Sequence, residues 1–296
     1  MLFYLYLHLK KVRNPRAMQP LVVAVDFSNT SLHAIDYSIP LVMKMKSDIM
    51  LVWVDKFSTS DSIYPDTSNE NRNEAKRRFD ELVRKYSPVL GKGMKIDYRL
   101  RKGKVYHEVD NLAKSIGAAF MVVGTHGISG FEEFWIGSNA FKIMTYASCT
   151  VIAVRLDFPV RKNIARILVP IDSSVETLQK IPHVARIAKL FRSHVIVLST
   201  HYSHLKSIQR IAENYAGQAI RYLVRNKIKP VRDALVSSDI TKAVLEYASV
   251  KRIDLISIMT EQETPINILL GPHAQQLVNQ SPIPVMCIHP QEHFCL

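Results

Sequence analysis

One feature constrains this sequence more than any other: it is written twice. Leu21-Val22-Val23-Ala24-Val25-Asp26-Phe27-Ser28 is matched by Ile167-Leu168-Val169-Pro170-Ile171-Asp172-Ser173-Ser174. Each is an apolar run closed by an aspartate and small polar residues. An unbroken apolar run fits a strand covered on both faces, and the Asp/Ser ending fits the start of a helix.

The text after each copy also agrees. Residues 30–46 and 175–191 carry apolar residues at helical spacing, Leu32, Ile35, Ile39, Val42 and Met43 in the first, Leu178, Ile181, Ala185, Ile187 and Leu190 in the second. Second strands are expected at Ile49–Val54 and Val195–Leu198, followed by polar helices over 69–87 and 204–226. Third strands near 94–100 and 230–236 lead to short helices over 104–117 and 239–250. Fourth strands at Ala119–Val123 and Leu255–Ile258, a loop, a helix and last strands at Thr150–Val154 and Pro284–Ile288 complete each copy. The fold class is therefore α/β: two tandem, doubly wound domains, each with a five-stranded parallel sheet. The expected boundaries are 19–156 and 165–290, with a linker over 157–164, an extension over 1–18 and a tail over 291–296.

The extension opens on an apolar run whose basic residues follow rather than precede it. That order argues against a secretory signal, and the run is too short to span a bilayer. A weak membrane-surface anchor is the alternative, and Met18 is an alternative start. No other segment reaches transmembrane length, so a cytoplasmic location is expected. Three cysteines, Cys149, Cys287 and Cys295, match no zinc or CxxC spacing and read as free thiols. The net charge of +13 is spread along the chain. It keeps nucleic acid as an alternative partner, although a solvated basic surface explains it as well. His201 and His204 form an i,i+3 pair without a third ligand, so no metal site is expected.

The chemistry concentrates after the fourth strand of the first copy. Gly124-Thr125-His126-Gly127-Ile128-Ser129-Gly130 follows Val123, and Gly137-Ser138-Asn139 opens the next helix. Glycines let backbone approach a phosphate, and a helix N-terminus offers unpaired N–H groups and a positive dipole end. Ser138 adds a hydroxyl. No Walker lysine, nucleophile elbow or Ser-His-Asp order is present.

The spacing G-x2-G-x9-G-S resembles the ATP-binding branch of the universal stress protein family, and the likeness extends over residues 19–290 as two copies. The resemblance implies an adenine nucleotide alpha hydrolase-like fold, a stress-response role and ATP, with or without Mg2+, as ligand. It places phosphates and ribose on Gly124, Gly127, Gly137 and Ser138, with backbone contact from Asn139. It puts the nucleoside against Asp26, the adenine against Val54, and Val123 in the pocket wall. Asp26 also reads as part of a helix cap, and Val54 as plain core. Family members dimerise or occur as tandem repeats, so a homodimer of tandem chains and an unidentified protein partner are implied. No catalytic residue is indicated. Slow ATP hydrolysis and a non-binding interaction module remain the other readings.

The second copy departs from the pattern. Met259-Thr260-Glu261-Gln262-Glu263-Thr264-Pro265 holds no glycine, and its helix opens Gly271-Pro272. Two glutamates would repel a phosphate, and Pro272 removes one N–H. This half is expected to lack ATP binding by this motif and to serve as an internal pseudo-dimer partner.

Overall fold

The computed structural model describes residues 19–55, 65–125, 137–201, 206–264, 267–269 and 272–290. The first half runs β1 (Leu21–Ala24), α1 (Asn29–Met45), β2 (Ile49–Asp55), α2 (Pro65–Tyr86), β3 (Ile96–Lys102), α3 (Val105–Ile116), β4 (Phe120–Thr125), α4 (Ser138–Tyr146) and β5 (Thr150–Arg155). The second runs β6 (Arg166–Ile171), α5 (Ile181–Phe191), β7 (His194–His201), α6 (Lys206–Arg225), β8 (Pro230–Val236), α7 (Ile240–Val250), β9 (Leu255–Met259), β10 (Glu261–Thr264), β11 (Asn267–Leu269), α8 (Pro272–Gln280) and β12 (Val285–Ile288).

The apolar runs became strands because each is covered on both faces. Leu21, Val22 and Val23 are fully buried, as are Ile167, Leu168 and Val169. The halves have the strand orders 3-2-1-4-5 and 8-7-6-9-12, and every neighbouring pair within a half is parallel. With right-handed crossovers, α1 and α2 cover one face and α3 and α4 the other. The order reverses between β1 and β4, which opens a crevice beyond their C-terminal ends.

The two sheets are in fact one. β5 pairs with β12 antiparallel, Ala153 opposite Val285, Ile152 opposite Met286 and Val151 opposite Cys287. Ten strands form a single sheet, β3-β2-β1-β4-β5-β12-β9-β6-β7-β8. One apolar cluster runs through both halves across this seam. The pairing uses an edge of each half that would otherwise present unpaired backbone groups. Side chains reinforce it: His183 Nδ1 lies 2.8 Å from Thr150 Oγ1, and His289 Nε2 lies 2.8 Å from the Met144 carbonyl. The connecting segment is held by Asp254, which accepts from Arg161 Nη1 at 2.5 Å and from the amides of Ala165 and Arg166.

Two stretches differ from the sequence expectation. The helix expected over 175–191 is split into a 3₁₀ turn at Val175–Leu178 and α5, which starts only at Ile181. The stretch after β9, expected as a loop, contains the antiparallel pair β10–β11.

Candidate functional site

The turn from β1 into α1 builds one wall. Ser28 caps α1, its Oγ accepting from the Ser31 amide at 3.3 Å. Asp26 braces that cap: its Oδ1 accepts from Ser28 N at 3.0 Å and Ser28 Oγ at 2.6 Å. Burial works to raise the Asp26 carboxyl, but the Ser28 and Ser31 hydrogen bonds outweigh it and hold it below its usual range. Phe27 between them has φ 65°, left-handed for a bulky residue. Its ring packs on Phe79 at 4.8 Å and under the Arg78 guanidinium at 4.3 Å, which holds the conformation. Asp26 is therefore part of the cap network and also exposed at the crevice rim.

The second wall is the end of β4. A Cβ on Gly124 would stand 2.3 Å from the Thr30 carbonyl oxygen and 2.9 Å from the Ser31 nitrogen. Glycine is required here so that β4 and the first turn of α1 can touch. The sequence suggested phosphate approach as the reason for this glycine; backbone packing is a sufficient one.

The third wall is the start of α4. Gly137 is its N-cap, with extended geometry and no side chain to cap with, and Ser138, Asn139 and Ala140 are the first helical residues. Their amides precede the first intrahelical bond, from Phe141 N to the Gly137 carbonyl at 2.9 Å. Such groups suit an anion.

These walls enclose a cavity of about 510 Å3 at the strand-order reversal. Asp26, Val54, Val123, Gly124, Gly137, Ser138 and Asn139 all line it. Gly127 lies outside the described residues, as does His126. Val54 is buried core and cavity wall at once. The lining also includes Trp53, together with Thr30, Asp55, Val105 and Val109, which the sequence did not single out. Trp53 and Asp55 had one usable signal, their place at the C-terminal end of β2 beside Val54. The two valines come from α3 and carry no local mark.

The second half shares the frame and lacks the glycine. Ser174 N and Oγ both donate to Asp172 Oδ1, and Asp172 N donates to Thr177 Oγ1, as Asp26 N does to Ser31 Oγ. Pairing of Ile167 with Leu255 mirrors that of Leu21 with Phe120, so Met259 stands where Gly124 does. A side chain at that point needs the room that Thr30 fills in the first half. The corresponding segment is the 3₁₀ turn at Val175–Leu178.

Among the described residues, no group of three or more His, Cys, Asp or Glu is placed to hold a metal ion, and no helix is long and apolar enough to cross a membrane. Cys149 and Cys287 are free thiols.

The model of the Universal stress protein family matches residues 18–155 and again 163–289. The chain is similar to universal stress protein YxiE of Bacillus subtilis (strain 168), 28% identical over 144 residues, 46% of this chain and 97% of that protein. It is similar to universal stress protein MJ0531 of Methanocaldococcus jannaschii, 26% identical over 137 residues, 46% of this chain and 81% of that protein. A solved universal stress protein from Archaeoglobus fulgidus DSM 4304 shares the fold, with TM-score 0.75 over 92% of this chain and 98% of that one at 16% identity. With both halves matched by the one family model, this chain belongs to the universal stress protein family as a tandem of two such units.

Proposed function

We propose that the first-half cavity binds an adenine nucleotide, ATP foremost, and that this tandem protein acts in a stress response by presenting nucleotide-bound and empty states to a protein partner. One observation carries the reading: the start of α4, which no side chain caps among the described residues, and the end of β4 converge on one cavity at the strand-order reversal. Its volume of about 510 Å3 suits a ligand of that size. Phosphates would lie at the Ser138–Ala140 amides and the Ser138 hydroxyl. Adenine would face the apolar side formed by Val54, Val105 and Val109. Mg2+ would enter with the phosphates.

The reading is of binding rather than turnover. Among the described residues that line the cavity there is no Lys or Arg to neutralise a transferred phosphoryl group. In this reading the second half completes the sheet as an internal counterpart, and the protein resides in the cytoplasm.

Ser138→Pro tests the site. Proline is well tolerated at the first position of a helix, and α8 begins with Pro272. The variant removes one amide and one hydroxyl while keeping the helix. Equilibrium titration with a fluorescent ATP analogue should show affinity reduced about tenfold or more, a loss of roughly 1.4 kcal/mol. Unchanged affinity with an unchanged circular dichroism spectrum would overturn the assignment.

A further inference from the structure

We propose that the second half carries its own small-molecule site, built on Lys180 and Ser257, and that its ligand is a small zwitterion of the amino-acid class. A cavity of about 350 Å3 lies there beyond the ends of β6 and β9, against α7 and α8. It occupies the place that the nucleotide cavity holds in the first half, but its floor is different.

The shared frame fixes the correspondence. With Asp172, Ser174 and Thr177 in the roles of Asp26, Ser28 and Ser31, Lys180 stands where Ala34 does. With Leu255 in the role of Phe120, Ser257 stands where Val122 does. Ala34 and Val122 are fully buried and apolar. Lys180 and Ser257 are as deeply buried, at 3% and 0% exposure, and both line the cavity. Two core positions have thus become polar together, on one cavity.

Neither group is fully satisfied by the described residues. Among the described residues Lys180 Nζ makes one hydrogen bond, to Thr177 Oγ1 at 3.1 Å, where an ammonium can make three. Ser257 Oγ has no partner among them. A buried ammonium and a buried hydroxyl are costly in that state, and a ligand carboxylate would meet both. Burial lowers the Lys180 ammonium to about 8 against the opposing pull of Asp172.

The rim has the opposite sign. Asp172 and Glu176 line the cavity and are exposed. A cationic floor under an acidic rim fits a molecule with a carboxylate at one end and an ammonium at the other. A nucleotide is disfavoured: Met259 replaces Gly124, the β10–β11 hairpin follows β9 directly, and α8 begins with Pro272.

The test is calorimetric titration of the full chain with each standard amino acid, and with acetate and methylammonium as single-charge probes. At least one amino acid should bind about tenfold or more tighter than either probe. The double variant Lys180→Ala with Ser257→Val restores the apolar pair of the first half, so it should fold, and it should lose that binding while keeping the fluorescent ATP titration of the parent. Lys180→Met, close to lysine in length and uncharged, should lose it too. No amino acid binding, acetate binding as tightly as the best amino acid, or binding that survives in both variants would each overturn the proposal. So would variants whose only change is stability, since Lys180 would then merely brace the 3₁₀ turn. ATP-analogue binding reports on the first half alone, so the two sites fail independently.

Discussion

Gly124 rests directly on Thr30, so closely that any Cβ at 124 would lie 2.3 Å from the Thr30 carbonyl oxygen and 2.5 Å from its carbon. Those are backbone atoms and cannot turn aside as a flexible side chain would. The contact sets the depth of the crevice, because it fixes how near the start of α1 comes to the end of β4.

Gly124→Ala is accordingly expected to destabilise the protein by about 1–3 kcal/mol, the usual cost of overpacking. Urea denaturation should show a lower midpoint at unchanged slope. Nucleotide-analogue affinity should fall as well, since the crevice walls move apart. A variant as stable as the parent would show that α1 yields freely at Thr30.

Acid should loosen the seam between the halves. Burial, with Arg186 and His289 nearby, lowers the His183 imidazolium, and burial also lowers that of His289 against opposing hydrogen bonds. Below the ordinary value near 6.5, the unfolded chain takes up protons that the native state refuses. Stability therefore falls as pH drops, by at most about 1.4 kcal/mol per pH unit for each histidine. His289→Gln keeps a donor for the Met144 carbonyl and does not titrate. Denaturation between about pH 7 and pH 5 should show a shallower pH slope in that variant. Equal slopes would place the titration elsewhere.

The first half on its own, residues 19–156, should self-associate. Removing β12 exposes the backbone of β5, whose residues Thr150–Val154 are all buried in the full chain. A bare apolar edge pairs with another copy of itself. Size-exclusion chromatography with light scattering should give twice the monomer mass or more. A stable monomer would show that β5 is capped in another way.

Cys149 and Cys287 should resist alkylation in the folded protein. Desolvation, with Asp110 adding to it, pushes the Cys149 thiol up to about 12, and burial pushes Cys287 further. The thiolate is the reactive form, so iodoacetamide at mildly alkaline pH should label neither until denaturant is added. Peptide mass spectrometry reads this directly. Rapid labelling of Cys287 in native buffer would mean that the seam opens.

The repeat and its elements could be read from short-range pattern alone. Leu21–Asp26 and Ile167–Asp172 announce buried strands because a doubly covered strand must be apolar throughout. Gly137-Ser138 announces a helix start, and α4 does begin at Ser138. Other features depended on atoms far away in the chain. Nothing local to Ile152 says that it lies opposite Met286 rather than at an open edge. Nothing local to Val105 or Val109 says that they wall a cavity with Val54. The 3₁₀ turn at Val175–Leu178 packs against β9, more than seventy residues on, and Lys180, polar by its letter, is buried because the frame around Asp172 leaves it the place of Ala34. Periodicity and capping are set by neighbours a few residues apart; strand pairing, close backbone approach and the burial of a charge are set by contacts that exist only once the whole sheet has closed.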